Sequence, residues 1–165
     1  MFLYSLLALA VVTALIFAAP LKAKVWATLA VVAAGALWAS ATAVGVLAGG
    51  HTVRLWATDV FLFGSDAGSM DPLSALFALI VSVGAVAAVL YSRGYLAHYL
   101  GRKSPAHISL HYTALAVMFY AMLGVVTSEG GFSFLFFWEL MTVASFLLIL
   151  FDAERREVRA PRWPT

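Results

Sequence analysis

The residue type that stands out for chemistry is one glutamate. Glu139 lies in "FFWELMTVASF", residues 136 to 146, inside a run from Phe132 to Phe151 that carries no other charge. At a rise of about 1.5 Å per residue it sits roughly 10 Å below the outer end of that run. A charge at the centre of a membrane helix costs about 2.5–3.5 kcal/mol even on the lenient insertion scale. The carboxyl group must therefore stay protonated or find a cation or water beside it, and either state suits proton movement. Thr142, three residues on, faces nearly the same way, and Ser145 extends a slanting polar stripe. The competing reading makes Glu139 a neutral hydrogen-bonding residue that holds helices together. His111, roughly 5–6 Å into the run before it, is a secondary candidate for a proton relay. Its alternative is a polar residue at the headgroup boundary. The candidate proton-translocating residues are thus Glu139, Thr142 and His111, with no catalytic, metal-binding or cofactor-binding residue beside them.

These residues need a membrane scaffold, and the composition supplies one. Of 165 residues, 64% are hydrophobic and 11% charged, with a mean hydropathy of +0.97, against about 25% charged in soluble domains. Helix breakers divide the chain into five apolar runs, Phe2–Ala19, Val25–Ala48, Pro72–Ser92, Ile108–Thr127 and Phe132–Phe151. Each approaches the roughly 20 residues that cross about 30 Å of hydrocarbon. The first run is expected to be a span and not a secretory signal, because "MFLYS" carries no positive charge and the run exceeds a usual signal core. The fold class expected is an all-α polytopic membrane protein, with a helical domain over 1–152 and a basic tail over 153–165.

The basic residues orient the spans. Lys22 and Lys24 follow the first run, Arg93, Arg102 and Lys103 the third, and Arg155, Arg156, Arg159 and Arg162 the fifth, with Arg54 alone on the other side. The positive-inside rule then puts the amino terminus outside and the carboxyl terminus in the cytoplasm, in the cell's inner (plasma) membrane. The outer segment from Gly49 to Met70 is too interrupted by Arg54, Asp59 and Asp66 for a sixth span and reads as a hairpin or an interfacial stretch held by Trp56. His98, with Tyr95 and Tyr99, reads as an interfacial belt; His107 opens the fourth run, and His51 is a loop residue.

Other chemistries fall away. The chain has no cysteine, and its four histidines match no zinc spacing. A net charge of +2 gives no argument for nucleic acid. There is no phosphate loop and no serine elbow. Met70, Met118, Met122 and Met141 read as packing residues. An aromatic groove of Phe134, Phe136, Phe137 and Trp138 is a weaker candidate for a quinone. No Lys or Arg lies within the five runs, so Glu139 has no counter-charge in its own chain.

Two stretches resemble a known family. "MDPLSALFALIVSVGAVAAVLYSRGYLAHY" and "FFWELMTVASFLLILFDAER" are similar to the antiporter-like membrane subunits of respiratory complex I, of group 4 hydrogenases of the formate hydrogenlyase and hydrogenase-4 kind, and of Mrp cation/proton antiporters. The Trp-Glu pair in the fifth run is the most specific element, and the match spans roughly residues 60 to 157. The resemblance implies that Glu139 is the family's proton-channel glutamate, which pairs with a lysine on a later, broken helix. It also implies about fourteen helices, most of them outside this sequence. The expectation is a proton-translocating component of a complex I-like NADH:quinone oxidoreductase or hydrogenase arm. Its partners would be other membrane-arm subunits, a polytopic chain with intramembrane lysines among them, and the lipid bilayer. By itself it would be a non-catalytic subunit. The alternative is an assembly module or truncated, non-pumping remnant, and the tail "AERREVRAPRWPT" leaves open a split subunit, a truncated product or a fragment.

Overall fold

The computed structural model describes residues 11, 14, 16, 17, 19, 20, 23–60, 64–97, 99 and 104–152. Most of the first expected span and all of the basic tail lie outside the described residues. The elements run α1 (Lys24–Gly49), β1 (Val53–Val60), β2 (Gly64–Met70), α2 (Pro72–Ala97), α3 (Pro105–Thr127) and α4 (Gly131–Asp152). The four helices correspond to the second to fifth apolar runs, and all four are long and apolar enough to cross a membrane. This is the build of a multi-pass membrane protein.

The helix ends follow from local chemistry. Gly50, at φ 63°, closes α1 by donating its N–H to the carbonyl of Val46, a left-handed cap that costs glycine nothing. Asp71 starts α2, its carboxylate accepting the Ser74 N–H at 2.6 Å, with Pro72 at the position where a missing N–H does no harm. Ser104 caps α3 in the same manner and also lies 2.8 Å from His107 Nδ1. All four helices run past their apolar stretches: α1, from Lys24, and α4, from Gly131, by one residue at each end, while α2 reaches Ala97 where Ser92 was expected, and α3 begins at Pro105 where Ile108 was expected. Backbone hydrogen bonding continues the helix for another turn whether or not the side chains are apolar, which places Lys24 and Arg93 on helices, at their ends.

Packing is by small residues. On α2 the buried positions are Ala75, Ala78, Ser82, Ala85, Val89, Ser92 and Leu96, steps of three and four that define one stripe. The facing stripe on α1 holds Thr28, Val32, Ala36, Ala39, Ala43 and Val46. Helices lined by alanine approach closely, which substitutes for the hydrophobic drive that lipid does not provide. Tyr120 of α3 ties across to α1, its hydroxyl donating to the Val31 carbonyl at 2.8 Å beside Gly35. The third helix is the centre of the bundle and α4 its periphery, for half of the α3 span is buried and only 11% of the α4 span.

The segment between α1 and α2 is a hairpin, one of its two expected forms. β1 and β2 pair antiparallel, Val53 opposite Met70 and Val60 opposite Gly64, with an irregularity between Arg54 and Trp56. Trp56 lies over Gly68, where a Cβ would collide with its ring. Met70 is fully enclosed at the base of the hairpin.

Candidate functional site

The fifth apolar run gives α4 two unlike sides. Its inner side is fixed at three levels. At the hairpin end, Asp66 of β2 accepts the backbone N–H of Ser133 at 2.9 Å and its hydroxyl at 3.0 Å, while the Ala67 N–H donates to the same carboxylate at 2.9 Å. Asp66 is 5% exposed and Ser133 fully buried. The helix begins at Gly130-Gly131 with no capping side chain of its own, so the hairpin caps it from 67 residues away. In the middle, Phe137 packs onto Gly124 of α3, where a Cβ would run into the ring, and Ser145 reaches Met118 Sδ at 3.9 Å while donating to the Met141 carbonyl at 2.9 Å. At the far end, Phe151 is buried against His111 and Tyr99, with ring centres 4.7 Å and 5.4 Å away.

The opposite side is bare of other described elements. Phe134, Leu135, Trp138, Glu139, Thr142, Val143, Phe146, Ile149 and Leu150 are all exposed, a stripe at helical spacing along the whole element. Glu139 stands in it about 12 Å from the Gly131 end by helical rise. No hydrogen bond or ion pair of Glu139 occurs among the described residues. Thr142 shares its face, as the three-residue spacing predicts, and donates to the Trp138 carbonyl at 3.0 Å. Such back-bonding satisfies the hydroxyl proton and leaves the oxygen's lone pairs facing outward beside the carboxyl group.

The structure does not bring His111 to Glu139. His111 packs against Phe151, which lies twelve residues beyond Glu139 on α4, about 18 Å along the axis. It is buried in an aromatic cluster with Tyr95 and Phe151. The four rings of the expected quinone groove divide between two sides. Phe134 and Trp138 stack at 6.4 Å on the exposed face, while Phe136 and Phe137 are half-buried. The helix-end cations are also engaged elsewhere. Lys24 Nζ, 4% exposed, donates to the carbonyls of Ile16 at 3.1 Å and Phe17 at 2.7 Å, and Arg93 lies over Trp26.

One constellation escaped the sequence reading. Asp66 counted there only as an interruption of the outer segment, and its tie to Ser133 spans too many residues for any local pattern. The signal that was present is indirect: "SEGG" leaves a long helix starting without a Ser, Thr, Asp or Asn cap of its own. Asp66 also borders an open polar depression of about 490 Å³ with Arg54, Ser65 and Glu129.

No family model matches the chain. Over 87 residues it is 39% identical to a Na(+)/H(+) antiporter subunit A1 of Staphylococcus aureus strain JH9, covering 53% of this chain and 10% of that protein. Over 88 residues it is 35% identical to NAD(P)H-quinone oxidoreductase chain 5 of a Picosynechococcus, covering 53% and 12%. A putative antiporter subunit mnhA2 of Staphylococcus saprophyticus is 35% identical over 82 residues, covering 50% and 10%. The chain spans about a tenth of the length of these curated relatives. Over half its own length it is therefore similar to antiporter-like subunits of the Mrp and quinone oxidoreductase kinds, the resemblance expected from the third and fifth runs.

Proposed function

We propose that the chain is an ion-translocating component of a membrane arm of the Mrp or complex I kind, with Glu139 as its protonatable intramembrane site. A second polytopic chain would supply the opposing cation. The observation that carries this reading is the placement of Glu139 on the face of α4 that no described element covers. A carboxyl group held against lipid alone is costly, by the few kcal/mol expected of a charge in a span. A neighbouring helix bearing a lysine at the same depth would offset that cost and give the site two protonation states of nearly equal free energy. Thr142 adds an oxygen lone pair on the same face for water or a proton. His111 would serve only as a separate relay at the far end, reached through water.

In this reading the amino terminus is outside, the hairpin lies on the outer surface and His111 near the cytoplasm of a plasma membrane. The larger assembly is a quinone oxidoreductase, a cation/proton antiporter or a group 4 hydrogenase, and this chain holds no redox centre. The names of the relatives support the first two. The test is Glu139→Gln in native membranes, with assembly followed by native electrophoresis and proton movement by a pH-sensitive dye in inverted vesicles. Coupled proton movement is expected to be lost while the complex stays assembled. Normal transport by an assembled mutant complex refutes the proposal.

The broad apolar face around Trp138, Val143 and Phe146 favours a second reading, an assembly module in which Glu139 only hydrogen-bonds to a partner helix. Gln then substitutes without loss, and Glu139→Leu disrupts association. Equal loss of transport in both variants with assembly intact counts against this second reading.

A further inference from the structure

Arg93 and Trp26 form a pair at the end of the bundle opposite the hairpin, on α2 and α1. The guanidinium carbon stands 5.4 Å from the centre of the indole ring, within cation–π range. Both side chains are exposed, Trp26 at 56%. Lys24, only two residues from Trp26, is spent on the chain itself through the carbonyls of Ile16 and Phe17. Arg93, beyond its place over Trp26, has no carboxylate within ion-pair distance among the described residues. Of the eight acidic residues, Asp59, Asp66, Asp71 and Glu129 belong to the opposite end of the bundle, whereas Asp152 closes α4 at this end and Glu154 and Glu157 follow it in sequence, beside the four arginines of the tail.

A planar guanidinium laid on a ring keeps its N–H edge free, and that edge matches two oxygens of a phosphate. One turn deeper, Ala30 on α1 and Leu90 on α2 are exposed apolar residues that continue the surface toward the bilayer centre. Tryptophan settles at the headgroup level of a membrane, so the pair lies at the depth of lipid phosphates. The sequence next to these helix ends also carries Lys22, Arg102 and Lys103, an excess of positive charge that selects against a zwitterionic headgroup.

We propose that Trp26 and Arg93 hold one anionic phospholipid, its phosphodiester oxygens accepting from the Arg93 guanidinium and an acyl chain lying over Ala30 and Leu90. The proposal is independent of the role assigned to Glu139. A free phosphate would share the headgroup chemistry but not the acyl contact.

The test reconstitutes the full chain in phosphatidylcholine bilayers with a minor fraction of phosphatidylglycerol, then counts retained lipids by native mass spectrometry. The wild type is expected to retain phosphatidylglycerol in preference to phosphatidylcholine, and millimolar inorganic phosphate should not displace it. Arg93→Gln should lower that retention roughly fivefold, the size expected for one basic residue at an anionic surface. Arg93→Lys, which keeps the charge without the fork, should fall in between, and Arg54→Gln at the other end should change nothing. Circular dichroism confirms that each variant remains helical. Wild-type retention by a helical Arg93→Gln, an equal loss in Arg54→Gln, or displacement by inorganic phosphate overturns the proposal.

Discussion

Replacing Asp66 by alanine should loosen the hairpin end of α4 and leave the rest of the bundle in place. The carboxylate accepts three hydrogen bonds, from the Ser133 N–H, the Ser133 hydroxyl and the Ala67 N–H, at 2.9, 3.0 and 2.9 Å. Its loss leaves the Ser133 N–H without an acceptor at a fully buried position, although the hydroxyl keeps the Gly130 carbonyl at 3.2 Å. Loss of a helix cap costs about 1–2 kcal/mol, and an orphaned buried donor about 1–3 kcal/mol. The two overlap, since the same N–H is counted in both, so the net is about 2–3 kcal/mol. Local opening should become roughly 30- to 150-fold more frequent, at about 1.4 kcal/mol per tenfold. Hydrogen exchange in detergent or nanodiscs reads this directly at the amides of Ser133 and Phe134, with the middle of α2 as the internal control. Asp66→Asn, which keeps one acceptor oxygen, should lose less. Unchanged protection at Ser133 and Phe134 in Asp66→Ala would refute the idea that the hairpin caps this helix.

Other outcomes follow from the same geometry. Gly124→Ala places a methyl group against the Phe137 ring and should destabilise the α3–α4 contact by about 1–3 kcal/mol; combining it with Phe137→Ala should give a smaller loss than the sum of the two, measured by thermal unfolding in detergent. The Ser74 backbone N–H, and then its side chain, hold the Asp71 carboxyl below the usual carboxylate range. A folded value below the unfolded one means stability that is present above the unfolded value, near 4, and lost as pH falls through the folded value. Asp71→Asn, which preserves the cap, should therefore flatten the acid limb of a stability–pH curve, and an unchanged limb would contradict the assignment. Asp71→Ala should lower stability by about 1 kcal/mol at neutral pH in the same unfolding assay.

Much of this architecture was legible because it rests on local rules. Apolar length marked the second to fifth runs as spans, and Gly50 and Asp71-Pro72 mark two helix ends in plain view, while the Ser104-Pro105 start of α3 was passed over for Ile108. The three-residue spacing of Glu139 and Thr142 placed both on one face. Their direction was not legible: a mainly apolar helix such as α4 carries little amphipathic signal, because lipid and protein interior look alike to it. Only the packing of Phe137, Ser145 and Phe151 against α3 shows which side is left open. His111 was legible as a polar residue near a helix start but not as a neighbour of Phe151, a contact made across 40 residues. The Asp66 cap is missed for the same reason. Long-range contacts that join single residues leave no periodic trace in a sequence.

Whether Glu139 faces a second membrane chain bearing a cation can be read by site-specific photo-crosslinking in native membranes. A photoreactive residue would replace Val143, on the bare face of α4 beside Glu139, and in a parallel strain Val83, on the exposed face of α2. Position 143 is expected to capture a polytopic chain with a lysine or arginine within a span, and position 83 to capture lipid. Lipid at both positions, or the same protein at both, would contradict that expectation.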